Sequence, residues 1–308
     1  MVENFVPEIM EPYINEILGI SARFITYDPY ADDDDQDGEG SDMDEDEDDY
    51  EDSDIDEDYD DDDDSSGLSW KLRRDSPKLV STILQNYPQS LIQIYKVTFE
   101  PLIKQLKDTN NHVVTELLRT LTKIFSFSAK EGPYYSLKSF ALLTDIATGR
   151  RGSDVSMVAE DDPFAILIGK SESINQTFDK LLVTKNSTML PLFYEFVIEL
   201  SNAMEGLEGN WMESFTNKLH ELKDSNAVTS NQIKFYSSVL KKNSLDHFGS
   251  AFDIVLGDIL TCFTTSKNHE LLLHSRKLLV MDWSPKLPEN HIHWRLDKDL
   301  LFACPTCF

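Results

Sequence analysis

Two cysteines near the end of the sequence, Cys304 and Cys307, have the C-x-x-C spacing that suits redox chemistry or metal binding. A redox pair of this kind belongs at the start of a helix in a βαβ setting, and a zinc site needs two further ligands. His291 and His293 lie upstream and are weak candidates for those ligands, although their spacing matches no recognised finger. A zinc or redox protein stays open as an alternative, and we predict a tail without metal or other cofactor.

Other catalytic patterns are missing from the sequence. The segment "IGKS" at 168–171 resembles part of a phosphate-binding loop, but position 164 is Phe where that loop needs Gly. The histidines are scattered, with no H-E-x-x-H motif and no Ser/His/Asp arrangement. Ser41 and Ser53 stand in the acidic contexts "SDMD" and "SDID" and are candidate phosphorylation sites. We predict a binding protein and no enzymatic activity.

The net charge of -28 comes from one segment, Asp32–Asp64, which we call the acidic block. The block holds 24 acidic residues and no Lys or Arg. Removing those 24 from the 56 acidic residues leaves 32 against 28 basic ones, which is an ordinary balance. Carboxylates at this density repel one another and form no core, so the block is predicted to be disordered. The acidity is local, so a field over the whole surface that repels nucleic acid is not needed to explain the total charge. We expect no nucleic-acid partner.

The cysteine content and the N-terminus indicate a reducing compartment. Three cysteines in 308 residues do not make a disulfide framework. The first residues, "MVENFVPEIMEPYINEILGI", carry acidic side chains and no small-residue cleavage site, so they are not a signal peptide. No stretch approaches 18 uninterrupted apolar residues, and we predict no membrane span. We expect a cytoplasmic and nuclear protein, monomeric and acting within a hetero-complex.

Outside the acidic block the hydrophobic pattern is helical. In "NHVVTELLRTLTKIF" the apolar residues follow the spacing of one buried helix face, and they are Val114, Leu117, Leu118, Leu121 and Phe125. In "STMLPLFYEFVIELSNAM" they cover more than half of the circumference, which is typical of a helix packed between neighbours. Alternating runs closed by hairpin turns are missing. The sequence therefore predicts an all-α fold.

Related phrases mark the junctions between helices. One apolar helix is predicted to end and another to begin within "QLKDTNN" at 105–111 and within "ELKDSNA" at 221–227. The segment "LLVTKNSTM" at 181–189 is a similar junction. Residues 182 and 222 are 40 apart, which is the period of HEAT and armadillo helix pairs. At each junction an Asp- or Ser/Asn-rich turn is expected to cap the following helix.

This period predicts a HEAT-type α-solenoid of about five helix pairs. The predicted pairs are 2–26 with 68–86, 89–107 with 110–128, 164–184 with 187–204, 208–223 with 226–242, and 245–265 with 267–281. The repeat array covers 1–284, with a disordered acidic loop at 32–67, an irregular insertion at 129–163 and a non-repeat tail at 285–308. The first helix is apolar, unlike a capping repeat, so we expect a fragment of a longer array.

The edges of the acidic block carry a resemblance. "FITYDPYADDDDQDGEG", an acidic run and then "DDDDSSGLSWKLRR" resemble the cullin-associated, neddylation-dissociated protein family. The matching residues are Tyr27, Asp28, Pro29, Ser69, Trp70, Lys71, Arg73 and Arg74. The resemblance implies a HEAT array that binds an unmodified cullin with its RING-box subunit and promotes exchange of substrate receptors. It also implies the family's association with the TATA-binding protein.

Several roles remain open for the residues of this motif. Trp70 is expected to pack between repeats, with a contact to a partner as the alternative. Lys71, Arg73 and Arg74 are candidates for anchoring the acidic loop, capping the helix pair or contacting the partner. A rival interpretation is an importin-type HEAT transport receptor, which also carries an acidic loop inside one repeat.

Overall fold

The fold is an all-α, HEAT-type solenoid, as the sequence predicts. The computed structural model describes residues 10–28, 66–147, 163–184, 187–204, 209–223, 229–242, 249–265, 271–273 and 275. Within these ranges every regular element is helical and there is no strand. No helix of the described part is long and apolar enough to cross a membrane.

Eleven α-helices lie in the described ranges. They are α1 (Ile14–Ile25), α2 (Ser66–Asn86), α3 (Leu91–Val97), α4 (Phe99–Lys104), α5 (Asn111–Ala147), α6 (Pro163–Gly169), α7 (Ser171–Thr184), α8 (Leu190–Ala203), α9 (Gly209–Glu221), α10 (Ser230–Lys242) and α11 (Ala251–Thr265). Short 3₁₀ turns cover Glu11–Tyr13, Pro88–Ser90, Gln105–Lys107 and Ser187–Met189.

The helices alternate between two layers. The first layer stacks α1 on α3 and α4, these on α6 and α7, then α7 on α9 and α9 on α11. The second layer stacks α2, α5, α8 and α10 in that order. Each repeat therefore contributes to both layers and packs mainly on the repeats before and after it, which is the arrangement of a solenoid. The predicted sandwich of α8 is confirmed, because it lies between α5 and α10.

Several helix boundaries differ from the prediction. The helix predicted over 164–184 is divided at Lys170 into α6 and α7. The helix predicted over 89–107 is divided at Thr98, because Pro101 has no N–H to bond with the carbonyl four residues earlier. The helix predicted to end at 128 continues to Ala147, so the first part of the expected irregular insertion is helical. Apolar residues recur at helical spacing in "YYSLKSFALL" beyond Pro133, and this pattern continues the helix.

Aromatic side chains link the interiors of consecutive repeats. Neighbouring rings along this chain have centroids 4.6 to 6.4 Å apart, a usual range for aromatic pairs. In spatial order the residues are Tyr95, Phe99, Phe125, Phe196, Phe178, Phe215 and Trp211. The core is thus continuous through the array, as nearest-neighbour packing requires.

Polar bonds between helices recur at about one repeat length. Arg73 bonds to Asp108, Asp179 to Ser214 and Lys223 to Asp258, each pair being 35 residues apart. In the second layer Lys123 donates to Ser81 and Thr120 to the Pro77 carbonyl, at separations of 42 and 43 residues. These distances along the chain agree with the period of 40 read from the sequence. The acidic block and residues 276–308 lie outside the described ranges.

Candidate functional site

The predicted partner-binding residues lie on the first turns of α2, where the chain returns from the acidic block. Lys71 is exposed, Trp70 is half-buried, and Arg73 and Arg74 are partly buried. Trp70 also packs against the hydrophobic core, as expected from the sequence. The four residues therefore share one edge of the solenoid but have different surroundings.

Arg73 holds three parts of the chain together. Its Nε donates to Asp108 Oδ2 at 2.7 Å, and one terminal nitrogen donates to the Tyr27 carbonyl at 3.2 Å and to Ser69 Oγ at 3.3 Å. The side chains of Arg73 and Asp108 are 16% and 3% exposed. Because Tyr27 precedes the acidic block and Ser69 follows it, this one guanidinium joins both edges of the block to the next repeat.

The turn at Asp108 positions the carboxylate that Arg73 reaches. Gln105 Nε2 donates to Asp108 Oδ2 at 2.7 Å, and the Asn110 amide donates to Oδ1 at 2.8 Å. The Asn110 side-chain oxygen accepts the amide of His112 at 2.9 Å and that of Val113 at 3.4 Å, which caps α5. The predicted capping role of the "KDTNN" turn is confirmed. The second copy of the phrase, at 224–227, lies outside the described ranges.

Trp70 forms an aromatic platform with its neighbours. The Arg74 guanidinium lies 5.0 Å from the Trp70 ring centroid, and the His112 ring centroid lies 6.0 Å away at a tilt of 34°. Arg74 also binds Asp75 at 2.9 and 3.2 Å, and Lys78 reaches the same carboxylate at 3.1 Å. Hydrogen bonding to Arg74 lowers the pKa of Asp75, and the same bond raises the pKa of Arg74. Arg74 thus lies between the Trp70 ring and the Asp75 carboxylate.

The sequence interpretation missed a second polar cluster, centred on Asp258 of α11. Lys223 Nζ donates to Asp258 Oδ1 at 3.0 Å, and the Tyr236 hydroxyl donates to Oδ2 at 2.6 Å. Gln232 also donates to Oδ2, and His220 Nδ1 lies 3.5 Å from it. Burial and the nearby Asp258 carboxylate raise the pKa of Tyr236. The available signal was an acidic residue inside the apolar helix "AFDIVLGDILTCF".

The cluster has a structural role, and we call it the Asp258 clasp. Asp258 is 6% exposed and satisfied by several donors from other helices, as buried charges require. Cys262, one turn further along α11, is buried, and burial raises the pKa of its thiol, which disfavours the reactive thiolate. The side chains of this cluster therefore stabilise the packing of α9, α10 and α11.

The remaining predicted residues do not meet in the described structure. His291, His293, Cys304 and Cys307 lie outside the described ranges, and so do Ser41 and Ser53. In the part that is described, no three His, Cys, Asp or Glu side chains are grouped so as to hold a metal ion. Of the predicted partner-binding residues, Trp70 and Arg74 contact each other, and Trp70 also contacts His112.

Comparison with curated proteins gives one informative match. The chain is similar to "Cullin-associated NEDD8-dissociated protein 1" of Drosophila melanogaster. The two sequences are 26% identical over 228 residues, which make up 73% of this chain and 16% of the Drosophila protein. No family model matches the chain. The similarity to the Drosophila protein agrees with the resemblance read from the edges of the acidic block, and it extends over most of the chain.

Proposed function

We propose that this chain is a non-enzymatic binding protein of the cullin–RING system. In this proposal it binds an unmodified cullin with its RING-box subunit and influences assembly of the ligase. The similarity to the Drosophila protein, which is named for cullin association and NEDD8 dissociation, supports the proposal. Because the match covers 16% of that protein, cullin binding, and not the full activity, is the part proposed for this chain.

The observation that carries the proposal is the bond between Arg73 and the Tyr27 carbonyl. It brings together the two motifs, "TYDP" and "SWKLRR", on which the family resemblance rests. The acidic block separates the two motifs along the chain, yet in the solenoid they lie together at one edge. An arrangement built from both motifs supports a shared binding role more strongly than two isolated matches.

The Trp70 platform is the proposed contact. Tryptophan and arginine are enriched among the residues that dominate binding energy at protein interfaces. The stacking of Arg74 on Trp70 restricts both side chains in advance, which lowers the entropy lost on binding. Lys71, exposed beside them, adds a positive charge at this edge. We therefore propose that the partner contacts the exposed edge of α2. Arg73 supports this edge through its bonds to Asp108 and to the Tyr27 carbonyl.

Binding of purified full-length chain to a cullin–RING complex tests the proposal. We expect capture of the unmodified complex and at least a tenfold weaker capture of the NEDD8-modified one. Replacing Trp70 and Arg74 with Ala should weaken capture by about tenfold or more, because two central contacts are removed. An Arg119→Ala variant on the exposed face of α5 is the control. Equal binding of both cullin forms, or no binding of either, would contradict the proposal.

The transport-receptor alternative is separated by the same type of experiment. A receptor of that class binds a Ran-type GTPase in its GTP form, so recovery of the GTPase in place of the cullin would favour it. For the cullin-binding function we propose a cytoplasmic and nuclear location, and fluorescence imaging of the tagged full-length chain tests this location directly.

A further inference from the structure

The outward side of α1 carries an exposed row of large apolar side chains. Tyr13, Ile20, Phe24 and Tyr27 are 55%, 37%, 39% and 41% exposed, and partly buried Ile17 lies between them in the sequence. We call these five residues the α1 seam. The described part of the chain has nine exposed large hydrophobic residues, and four of them belong to the seam. Ile17 also packs against the core of the solenoid, so the seam borders the face that α1 buries.

The spacing of the seam is that of a helix–helix contact. Its residues follow one another in the sequence at intervals of four, three, four and three, the a/d spacing of a coiled coil. Ile17, Ile20 and Phe24 lie inside α1 and fall within a stripe about 60° wide at 100° per residue, with Tyr13 in the preceding 3₁₀ turn and Tyr27 just beyond the helix. The buried residues of α1, which are Ile14, Leu18, Ser21 and Ile25, lie to one side of this stripe. The pattern therefore indicates a single facing helix as the occupant.

In the second layer one exposed apolar residue of α2, Leu72 at 39%, stands among charged and polar exposed positions. On α2 the exposed positions include Lys71, Asp75 and Lys78, and Asp75 is paired with Lys78 and Arg74. A whole helix pair stacked on this end would bury those charges, which is costly. A single helix laid along α1 would leave them in water.

Two charges beside the seam are complementary to each other. Glu16 and Arg23 are exposed, lie seven residues apart and flank the seam on the side away from the core. Two copies of α1 placed antiparallel, with Ile20 near the axis, bring Glu16 of each close to Arg23 of the other. A two-fold axis makes both pairs at once, which is the self-complementarity that an isologous interface needs.

Antiparallel pairing also separates the two acidic blocks. Each block begins five residues after Tyr27, at one end of its seam. The helix that carries the seam has 12 residues and is about 18 Å long. In the antiparallel arrangement the blocks leave at opposite ends, further apart than the screening length of about 8 Å at physiological salt. A parallel arrangement would place them side by side.

We propose that α1 pairs with α1 of a second copy of this chain, antiparallel, through the seam and two Glu16–Arg23 ion pairs. The contact is short, so a weak dimer is expected, with a dissociation constant of about 1 to 100 μM. The proposal differs from the single copy expected from the sequence, and it does not depend on cullin binding.

Sedimentation equilibrium of the full chain at about 1 to 200 μM tests the proposal. The wild-type chain should dimerise with rising concentration, and Ile20→Ser should weaken the dimer at least tenfold. Leu260→Ser, at another exposed apolar position, should leave it unchanged. Circular dichroism of each variant reports whether the fold is kept. Ile20→Ser should still capture the cullin–RING complex, which keeps the two proposals distinguishable.

Charge exchange gives the decisive comparison. Glu16→Arg and Arg23→Glu should each be monomeric, because each places like charges together twice. An equimolar mixture of the two variants should form a heterodimer, because both pairs become attractive again. A wild-type monomer at every concentration would overturn the proposal, as would a mixture that stays monomeric. Dimerisation that appears only after removal of residues 2–9 would also overturn it, since the chain's own N-terminal segment would then be the occupant.

Discussion

The guanidinium of Arg73 and the carboxylate of Asp108 lie 2.7 Å apart and join the first two repeats at the edge of the acidic block. The next residue, Arg74, forms an ion pair of similar length with Asp75, but that carboxylate is 54% exposed. Two adjacent arginines in one motif therefore make an inward and an outward ion pair. This contrast separates a structural role from a binding role.

Replacing Arg73 with Met should lower the free energy of unfolding by about 2–3 kcal/mol, because a charge-assisted bond is lost and the Asp108 carboxylate stays buried. Arg74→Met is the matched control and should cost less than about 1 kcal/mol, since its ion pair is exposed. Urea unfolding followed by far-UV circular dichroism measures both. Equal effects of the two substitutions would contradict the assignment of Arg73 as the structural member.

The sequence was sufficient for features that depend on local periodicity. Val114, Leu118 and Phe125 are buried on one side of α5, because their spacing marks the face that packs. The apolar circumference of α8 likewise indicated its place between two helices. Turn residues such as Asn110 were readable because capping acts within a few residues.

Contacts that depend on how the repeats stack could not be predicted from the sequence. Arg73 and Asp108 meet because consecutive repeats stack at a particular angle, and no local pattern encodes that angle. The Asp258 clasp has the same cause, since Lys223 and Tyr236 come from two other segments. The continuation of α5 through Pro133 was not predicted, because proline ordinarily weakens a helix interior.

The acidic block should contribute little to the stability of the solenoid. Replacing Asp32–Asp64 with a short Gly/Ser linker keeps the Tyr27 carbonyl, Ser69 and Arg73, which hold the two edges together. We expect the melting temperature and helical content to remain almost unchanged, with a small gain from a shorter loop. Thermal unfolding by circular dichroism at physiological salt checks this. A large loss of helix would show that the block is part of the folded array.

Tyr95 should make stability sensitive to alkaline pH. Burial raises the pKa of its hydroxyl well above the usual value of about 10, and the hydroxyl bonds to Ser128 Oγ at 2.8 Å. The folded state favours the protonated form, so its contribution is complete below pH about 10 and is lost as the pH rises toward the folded-state pKa.

Tyr95→Phe should therefore cost about 1 kcal/mol at neutral pH, through the lost hydrogen bond. Between pH about 9 and 11 the difference from wild type should shrink by about 1 kcal/mol, because the variant has no group to ionise at this position. Tyr13→Phe, at an exposed position, should show no difference at either pH. A gap that stays constant with pH would argue against ionisation of Tyr95 as the cause.

Phe178 lies at the centre of the aromatic chain through the core. Its ring is stacked on Phe196 at 4.6 Å and meets Phe215 edge-on at 5.0 Å, so it contacts the repeat that follows as well as its own. Phe178→Ala should cost about 3–5 kcal/mol. Val183→Ala on the same helix is the control, because Val183 is 72% exposed, and its effect should be within about 0.5 kcal/mol. Urea unfolding distinguishes the two, and comparable effects would contradict a continuous core.

The clasp between Lys223 and Asp258 should behave as a buried charge pair. Both side chains are less than 10% exposed, at 9% and 8%. Lys223→Met removes the cation and leaves the carboxylate with neutral donors, which should cost about 2–4 kcal/mol. Lys218→Met, in the last turn of α9, removes a less buried pair with Asp179, whose side chains are 27% and 37% exposed, and should cost less than Lys223→Met.

A double variant identifies the buried charge as the cause. Lys223→Met combined with Asp258→Leu removes the carboxylate too, and the amide of Gln232 still bonds to the Tyr236 hydroxyl at 2.8 Å. Because a buried ion pair is often replaceable by apolar residues of similar size, the double variant should be more stable than Lys223→Met alone. Urea unfolding of the three variants measures this order. If the double variant were less stable than Lys223→Met, Asp258 would contribute through its hydrogen bonds and not through its charge.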